Sequence, residues 1–178
     1  MVGESGAYEI NVYLWKVKID SIGMMGFLSK VEAKADNKGR LFVPAVYRKQ
    51  LEKLGEGGLI LQLDAVCRCV RVYPESYWEK LNEEFKAKLN LWDQKVLMLY
   101  RQFIAGVDMV EMDASGRILM PKRYLEMMEV ETDALFVGMC DYFEVWNRDV
   151  YESAQFTPED YAKAMQEKMG NSQIGCNI

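Results

Sequence analysis

DNKGRLFVP (residues 36–44) and DASGRILMP (residues 113–121) are two copies of one pattern: an acid, a glycine three places on, an arginine next to it, and a proline four further. The glycine takes a left-handed backbone at almost no cost, which closes a tight hairpin. Asp36 and Asp113 can accept hydrogen bonds from backbone NH groups two or three residues on. Asp36, Gly39, Asp113 and Gly116 are therefore expected to shape the two tips, with Arg40 and Arg117 starting the return strands beside them. VEAKA (31–35) and VEM (110–112) alternate apolar and polar residues before each turn, and RLFV (40–43) and RILM (117–120) follow it. Pro44 and Pro121 are each placed to open a helix at its first position.

The copies lie 77 residues apart (113 − 36 = 77), and the same offset pairs Tyr47 with Tyr124. After four residues are dropped from a loop, CRCVRVY (67–73) meets CDYFEVW (140–146). A match of this length marks a repeated unit of about 45 residues. The unit reads strand, turn, strand, short helix, strand, strand. In AVYRKQLEKL (45–54) the expected apolar stripe is Val46, Leu51 and Leu54, with Tyr47 at its margin; in KRYLEMMEV (122–130) it is Tyr124, Leu125 and Met128. So thin a unit leaves apolar surface bare unless the copies pack together.

Between the copies, Trp78, Leu81, Phe85 and Leu89 recur at helical spacing, and Asn90 followed by Asp93 resembles a capping box that starts a second helix. Thr157 and Pro158 begin a C-terminal helix, GNSQIGCNI (170–178) reads as a tail, and INVYLWKVKI (10–19) is strand-like. The expected division is an N-terminal extension (1–25), a first repeat (26–74), a helical insert (75–105), a second repeat (106–151), and a C-terminal helix with tail (152–178).

The whole-chain composition narrows the function classes. At 178 residues, 50% hydrophobic and 28% charged, the chain can bury a core without a metal or disulfide. Cys67, Cys69, Cys140 and Cys176 include no CxxC spacing and there is no histidine, so neither a zinc site nor histidine-dependent catalysis is expected. No carboxylate pair or activated nucleophile stands out, and no enzyme activity, metal or cofactor is expected. Without a long apolar run or a secretory signal pattern, a cytoplasmic protein with no membrane partner is expected. Lys plus Arg number 22 against 27 acids, and this net acidity argues against a nucleic-acid partner, since phosphate contacts need cations, unless the cations cluster locally.

The twin DxxGRxxxP hairpins, the YPxxxW segment at 73–78 and the EVW at 144–146 resemble the MraZ family, bacterial transcriptional regulators with two SpoVT/AbrB-type domains. The resemblance covers about Gly26 to Tyr151. It implies an α+β fold of duplicated AbrB-like swapped-hairpin β units forming a pseudo-twofold body, with a helical pair between the copies and a C-terminal helix. It also implies sequence-specific binding to double-stranded DNA with direct repeats upstream of the division and cell-wall gene cluster, by a ring-like homo-oligomer at the nucleoid. The positions it carries over are Asp36, Lys38, Arg40, Asp113 and Arg117. Family chains usually begin just before Gly26–Leu28, so a start at Met24 or Met25 stays open beside a folded extension.

Local charge then separates the copies. From 34 to 53, Lys34, Lys38, Arg40, Arg48, Lys49 and Lys53 stand against Asp36 and Glu52, leaving +4; from 113 to 129, Arg117, Lys122 and Arg123 are balanced by Asp113, Glu126 and Glu129. The expected DNA contacts are Arg40, Arg117, Lys38 and Arg48, with the first hairpin the stronger. The arginine fork can pair with guanine or grip phosphate. The alternative, drawn from the net acidity and the neutral second patch, is an oligomeric protein-interaction module with weak or lost DNA binding; on the turns alone, each arginine is a solvated charge or a partner of its aspartate. Trp78, Phe85, Trp92 and Phe103 are expected as core or subunit contacts, and Tyr73 and Trp146 as cover for the packing of the two halves. The methionines at 109, 112, 120, 127 and 128 are expected in the core.

Overall fold

The computed structural model describes residues 26–64 and 66–169; the strand-like stretch at 10–19 and the tail at 170–178 lie outside the described residues. The fold is α+β. Its strands are β1 (Lys30–Lys34), β2 (Arg40–Phe42), β3 (Gly58–Asp64), β4 (Cys69–Pro74), β5 (Val107–Glu111), β6 (Arg117–Leu119), β7 (Asp133–Gly138) and β8 (Phe143–Asn147). Its helices are α1 (Ala45–Leu54), α2 (Glu75–Ala87), α3 (Gln94–Ala105), α4 (Lys122–Met128), α5 (Arg148–Ser153) and α6 (Pro158–Met169).

Six strands form an antiparallel sheet in the order β1-β7-β8-β4-β3-β5, and β2 pairs with β6 in a separate two-stranded ribbon. Under the repeat offsets β1 corresponds to β5, β3 to β7 and β4 to β8. Exchanging equivalents therefore reverses the order and leaves it unchanged. Each copy sends its opening strand to the other copy: Lys30 to Lys34 run against Val137 to Asp133, and Gly58 to Gln62 against Glu111 to Val107. At the centre β4 meets β8, with Val70 opposite Val145, Arg71 opposite Glu144 and Val72 opposite Phe143.

Alternation along these strands assigns two faces. On one face Val70, Val72, Phe143 and Val145 join Leu41, Tyr47, Leu51, Ile118, Tyr124 and Met128, so that the ribbon, α1 and α4 close the main core. Phe27, Tyr47, Phe136 and Phe143 pack there with ring centroids 5.1 to 6.2 Å apart. The Tyr47 hydroxyl donates to the Ser29 carbonyl at 2.7 Å and the Tyr124 hydroxyl to the Gly106 carbonyl at 3.1 Å, acceptors again 77 residues apart. Here the apolar stripe expected on α1 is corrected: Tyr47, Gln50 and Leu51 are buried, while Val46 and Leu54 are about half exposed. A tyrosine with an internal partner for its hydroxyl fills more core than a valine, which rotates the helix toward it.

The opposite face carries two smaller clusters. Ile60, Tyr73 and Trp78 pack with Leu81 and Phe103 under α2 and α3, and Leu135, Val137 and Trp146 pack with Val150 and Tyr151 under α5. Helix α5 goes beyond the sequence expectation, although a signal for it is present: the offset of 73 sets Asn147 at the place of Pro74 and Tyr151 at that of Trp78. Asn147 caps it, its Oδ1 accepting the Asp149 and Val150 amides at 2.8 and 3.2 Å.

Other local expectations shift by a few residues. Pro44 and Pro121 are the caps of α1 and α4 rather than their first residues, because each keeps an extended ψ (140° and 136°) and lends its carbonyl to the first helical bonds. Asp93, not Asn90, caps α3, accepting the Lys95 and Val96 amides at 2.7 and 3.3 Å. Trp92, in the preceding loop, is 97% exposed and so is no core residue. Of the five methionines expected inside, Met120 and Met128 are buried, whereas Met109 and Met127 are exposed.

Candidate nucleic-acid interface

Both hairpin tips are built the same way. Asp36 Oδ1 accepts the Lys38 and Arg40 amides at 2.9 Å each, and its Oδ2 accepts Arg40 Nε at 2.7 Å with Nη2 at 2.6 Å. Asp113 Oδ1 accepts the Ser115 and Arg117 amides at 2.9 and 3.0 Å, and its Oδ2 holds Arg117 Nε and Nη2 at 2.8 Å. Gly39 and Gly116 sit at φ 77° and 80°, the left-handed region that closes each turn. The Arg40 side chain first, then the Arg40 amide, holds Asp36 at about 2, below its ordinary 3.8. Asp113 is lowered by the Arg117 amide and side chain in the same way. Both carboxylates are therefore ionised at neutral pH and latch their arginines.

The ribbon sets the two arginines in one plane. Leu41 and Ile118 point inward and are fully buried, so Arg40, Phe42, Arg117 and Leu119 share the outward face. Arg40 lies opposite Leu119, and Phe42 opposite Arg117. The arginine backbones are thus diagonal neighbours, about 7–8 Å apart. The Arg117 guanidinium lies 5.6 Å from the Phe42 ring centre, a cation–π contact that further fixes it. Nε and one edge of Nη2 are spent on the aspartate in each pair, which leaves the Nη1–Nη2 end of the fork as the free end. Neither arginine waves in solvent: their side chains are 31% and 24% exposed.

The tips differ in what flanks them. The Gly39 carbonyl accepts the Met120 amide at 3.0 Å, and the Gly116 carbonyl accepts the Val43 amide at 3.0 Å, so each turn is tied to the other copy. A Cβ placed on Gly39 would meet Leu125 Cδ1 at 3.0 Å; one placed on Gly116 would meet Arg48 Cδ at 2.6 Å and Nη1 at 2.7 Å. Leu125 and Arg48 are equivalent positions (125 − 48 = 77). Arg48, counted above with the first hairpin, therefore stands beside the second. The cleft beside the first tip is lined by Asp36, Lys38, Lys122, Glu126, Glu129 and Glu131. Charge order along the chain does not show this exchange, because α1 packs against the second copy's turn and α4 against the first copy's.

Among the described residues no group of three metal-ligating side chains is found, and no helix is long and apolar enough to cross a membrane. The described cysteines 67, 69 and 140 are free thiols.

Residues 27–101 and 103–170 match a family model described as "MraZ protein, putative antitoxin-like". The chain is 40% identical over 148 residues to the transcriptional regulator MraZ of Phocaeicola vulgatus, an alignment covering 83% of this chain and 96% of that protein. It is 38% identical over 148 residues to the transcriptional regulator MraZ of Bacteroides thetaiotaomicron, covering 83% and 95%. A more distant relative, the transcriptional regulator MraZ of Pseudomonas putida strain F1, is 35% identical over 118 residues, covering 66% of this chain and 78% of that protein.

Proposed function

The chain belongs to the MraZ family, and from that premise we propose that it is a transcription regulator gripping double-stranded DNA with its two DxxGR tips. The observation that carries this reading is the outward face of the β2–β6 ribbon, where both arginines are latched side by side with the fork ends free. A two-stranded β-ribbon fits the major groove, and an arginine fork pairs with guanine O6 and N7, a contact that discriminates by about 1–3 kcal/mol. Arg40 and Arg117 make those contacts or hold adjacent phosphate, Lys38 and Arg48 hold phosphate, and Asp36, Gly39, Asp113 and Gly116 shape the tips.

The finer reading follows the family resemblance. The targets are short direct repeats upstream of the division and cell-wall gene cluster, read in the cytoplasm at the nucleoid. The body consists of two AbrB-like swapped-hairpin repeats (26–74 and 106–151), with a helical insert (75–105) and a C-terminal segment (152–178). A ring of copies multiplies modest single grips through effective concentration. Exposed Trp92, Met98 and Leu99 on the helical insert support self-association. The role is binding rather than catalysis, and the name its relatives carry is not an enzyme class.

The test is a fluorescence anisotropy titration of the full chain on a fragment bearing its own upstream repeats and on a scrambled fragment of equal length. Binding at least ~10³ tighter to the repeats, falling steeply with salt, is expected. The second reading, a protein-interaction module, draws on the ion pairing of both arginines and the net charge of -5. Salt-insensitive or absent binding by a stable oligomer in light scattering supports that reading instead.

A further inference from the structure

The sequence places the denser positive charge in the first repeat, but the fold delivers it elsewhere. Arg48 lies across Gly116, at the second tip, with its Nε enclosed and without a hydrogen-bond partner. Most other described arginines have a carboxylate within 4 Å: Arg40, Arg68, Arg71, Arg117, Arg123 and Arg148. Arg48 is in no such pair among the described residues. At the first tip the equivalent neighbour is Leu125, which brings no charge.

The helices that flank the tips exaggerate the difference. Residues 45–54 carry Arg48, Lys49 and Lys53 against Glu52, a formal +2. The equivalent residues 122–131 carry Lys122 and Arg123 against Glu126, Glu129 and Glu131, a formal −1. The first tip itself is +1 (Lys38 and Arg40 against Asp36) and the second is 0 (Arg117 against Asp113). Summed as the chain is written, the first repeat has +3 and the second −1. Summed as the fold assembles them, with each tip beside the other copy's helix, the first tip has 0 and the second +2.

We propose that the second tip, DASGR with Arg48 laid beside it, is the stronger phosphate grip, and that the first tip, DNKGR, is attenuated by the acidic side chains of its cleft. This rests on the DNA-binding reading above. Arg48 is a phosphate ligand supplied by one repeat to the hairpin of the other. Phe42 adds to the same bias, because its ring orders Arg117, whereas Arg40 faces Leu119 across the ribbon. One chain thus presents a tight and a loose contact about one ribbon length apart, which orients the subunit on its site.

The experiment compares single variants of the full-length chain by anisotropy on the repeat fragment at two salt concentrations. Arg117→Ala is expected to weaken binding at least threefold more than Arg40→Ala. Arg48→Met, which keeps the aliphatic stem over Gly116, is expected to weaken binding about tenfold and to reduce the log K against log salt slope by about 0.9 for each phosphate no longer neutralised. Arg48→Lys keeps most of the affinity. As an arm that does not touch the packing at Gly116, Glu126→Gln with Glu131→Gln strengthens binding severalfold. Equal losses for Arg40→Ala and Arg117→Ala, or an Arg48→Met protein within twofold of the parent with an unchanged slope, overturn the inference alone. A parent chain that does not bind DNA overturns the reading beneath it as well.

Discussion

Arg71 and Glu144 hold equivalent places in the two repeats, 73 residues apart, and face each other across the β4–β8 pair with Nε 3.7 Å from Oε1. Two identical repeats would set arginine against arginine or glutamate against glutamate there. The divergence of the copies turns a clash at the centre of the sheet into an attraction, which favours pairing of the two different repeats. Glu144 is buried and its Oε2 also accepts Trp146 Nε1 at 2.9 Å; Arg71 is further held by Asp64. Glu144→Leu leaves the indole donor unpaired, and a loss of about 1–3 kcal/mol is expected in denaturant unfolding. Glu144→Gln, which keeps an acceptor, is expected to lose less. A Glu144→Leu protein as stable as the parent contradicts this account of the sheet centre.

The turn glycines give a second stability prediction. At φ 77° and 80° an alanine costs about 1–2 kcal/mol from backbone strain alone. At Gly39 the added Cβ also meets the Met120 carbonyl oxygen at 3.2 Å, and backbone yields less readily than a side chain. At Gly116 it meets Arg48, a flexible neighbour that can move aside. Gly39→Ala is therefore expected to lower the melting temperature by more than Gly116→Ala, while Gly116→Ala has the larger effect on DNA affinity. The reverse ranking in both measurements refutes the assignment of Arg48 to the second tip.

These two cases show what can be read from the residues alone. The Asp–Gly–Arg turns, the doubled unit and the strands are legible because glycine, aspartate and alternation act locally. The partner of each element is not, because pairing β1 with β7 and β3 with β5 depends on which apolar faces meet in space. That is why counting along the chain assigns Arg48 to the wrong hairpin. It is also why Tyr47, expected at the margin of its helix's apolar stripe, lies at the centre of the aromatic core. The arginines, expected to face outward from the tips, do so only partly, since the aspartates fold them back along the turn.

The latch has a pH signature. Asp36 is held at about 2 against an ordinary 3.8, so the stabilisation that it contributes is complete above the ordinary value and is lost as pH falls through the folded one. A carbon-detected NMR titration of the Asp36 carboxyl is expected to show its midpoint near 2, and the tip is unaffected between pH 5 and 8. Asp113 is expected to titrate below 3.8 as well. A midpoint at 3.8 in the folded protein means that the ion pair with Arg40 does not persist in solution.

Neutralising the latch separates specificity from affinity. Asp36→Asn retains an oxygen for the Lys38 and Arg40 amides but releases the guanidinium, and it adds one unit of positive charge to the tip. Affinity for scrambled DNA is expected to hold or rise, while preference for the repeats falls by roughly tenfold as the fork loses its fixed aim. Competition binding with both fragments measures that ratio, and an unchanged ratio shows that the aspartate does not orient the contact.

The most direct measurement is anisotropy on the repeat fragment with the double variant Arg40→Ala, Arg117→Ala, whose fold is checked by circular dichroism. Both arginines lie on the exposed face of the ribbon, so the fold is expected to be retained. Specific binding is expected to drop to the level of scrambled DNA, with a shallower salt slope. Undiminished binding by a folded double variant would contradict the claim that the two hairpin tips are the DNA-binding surface.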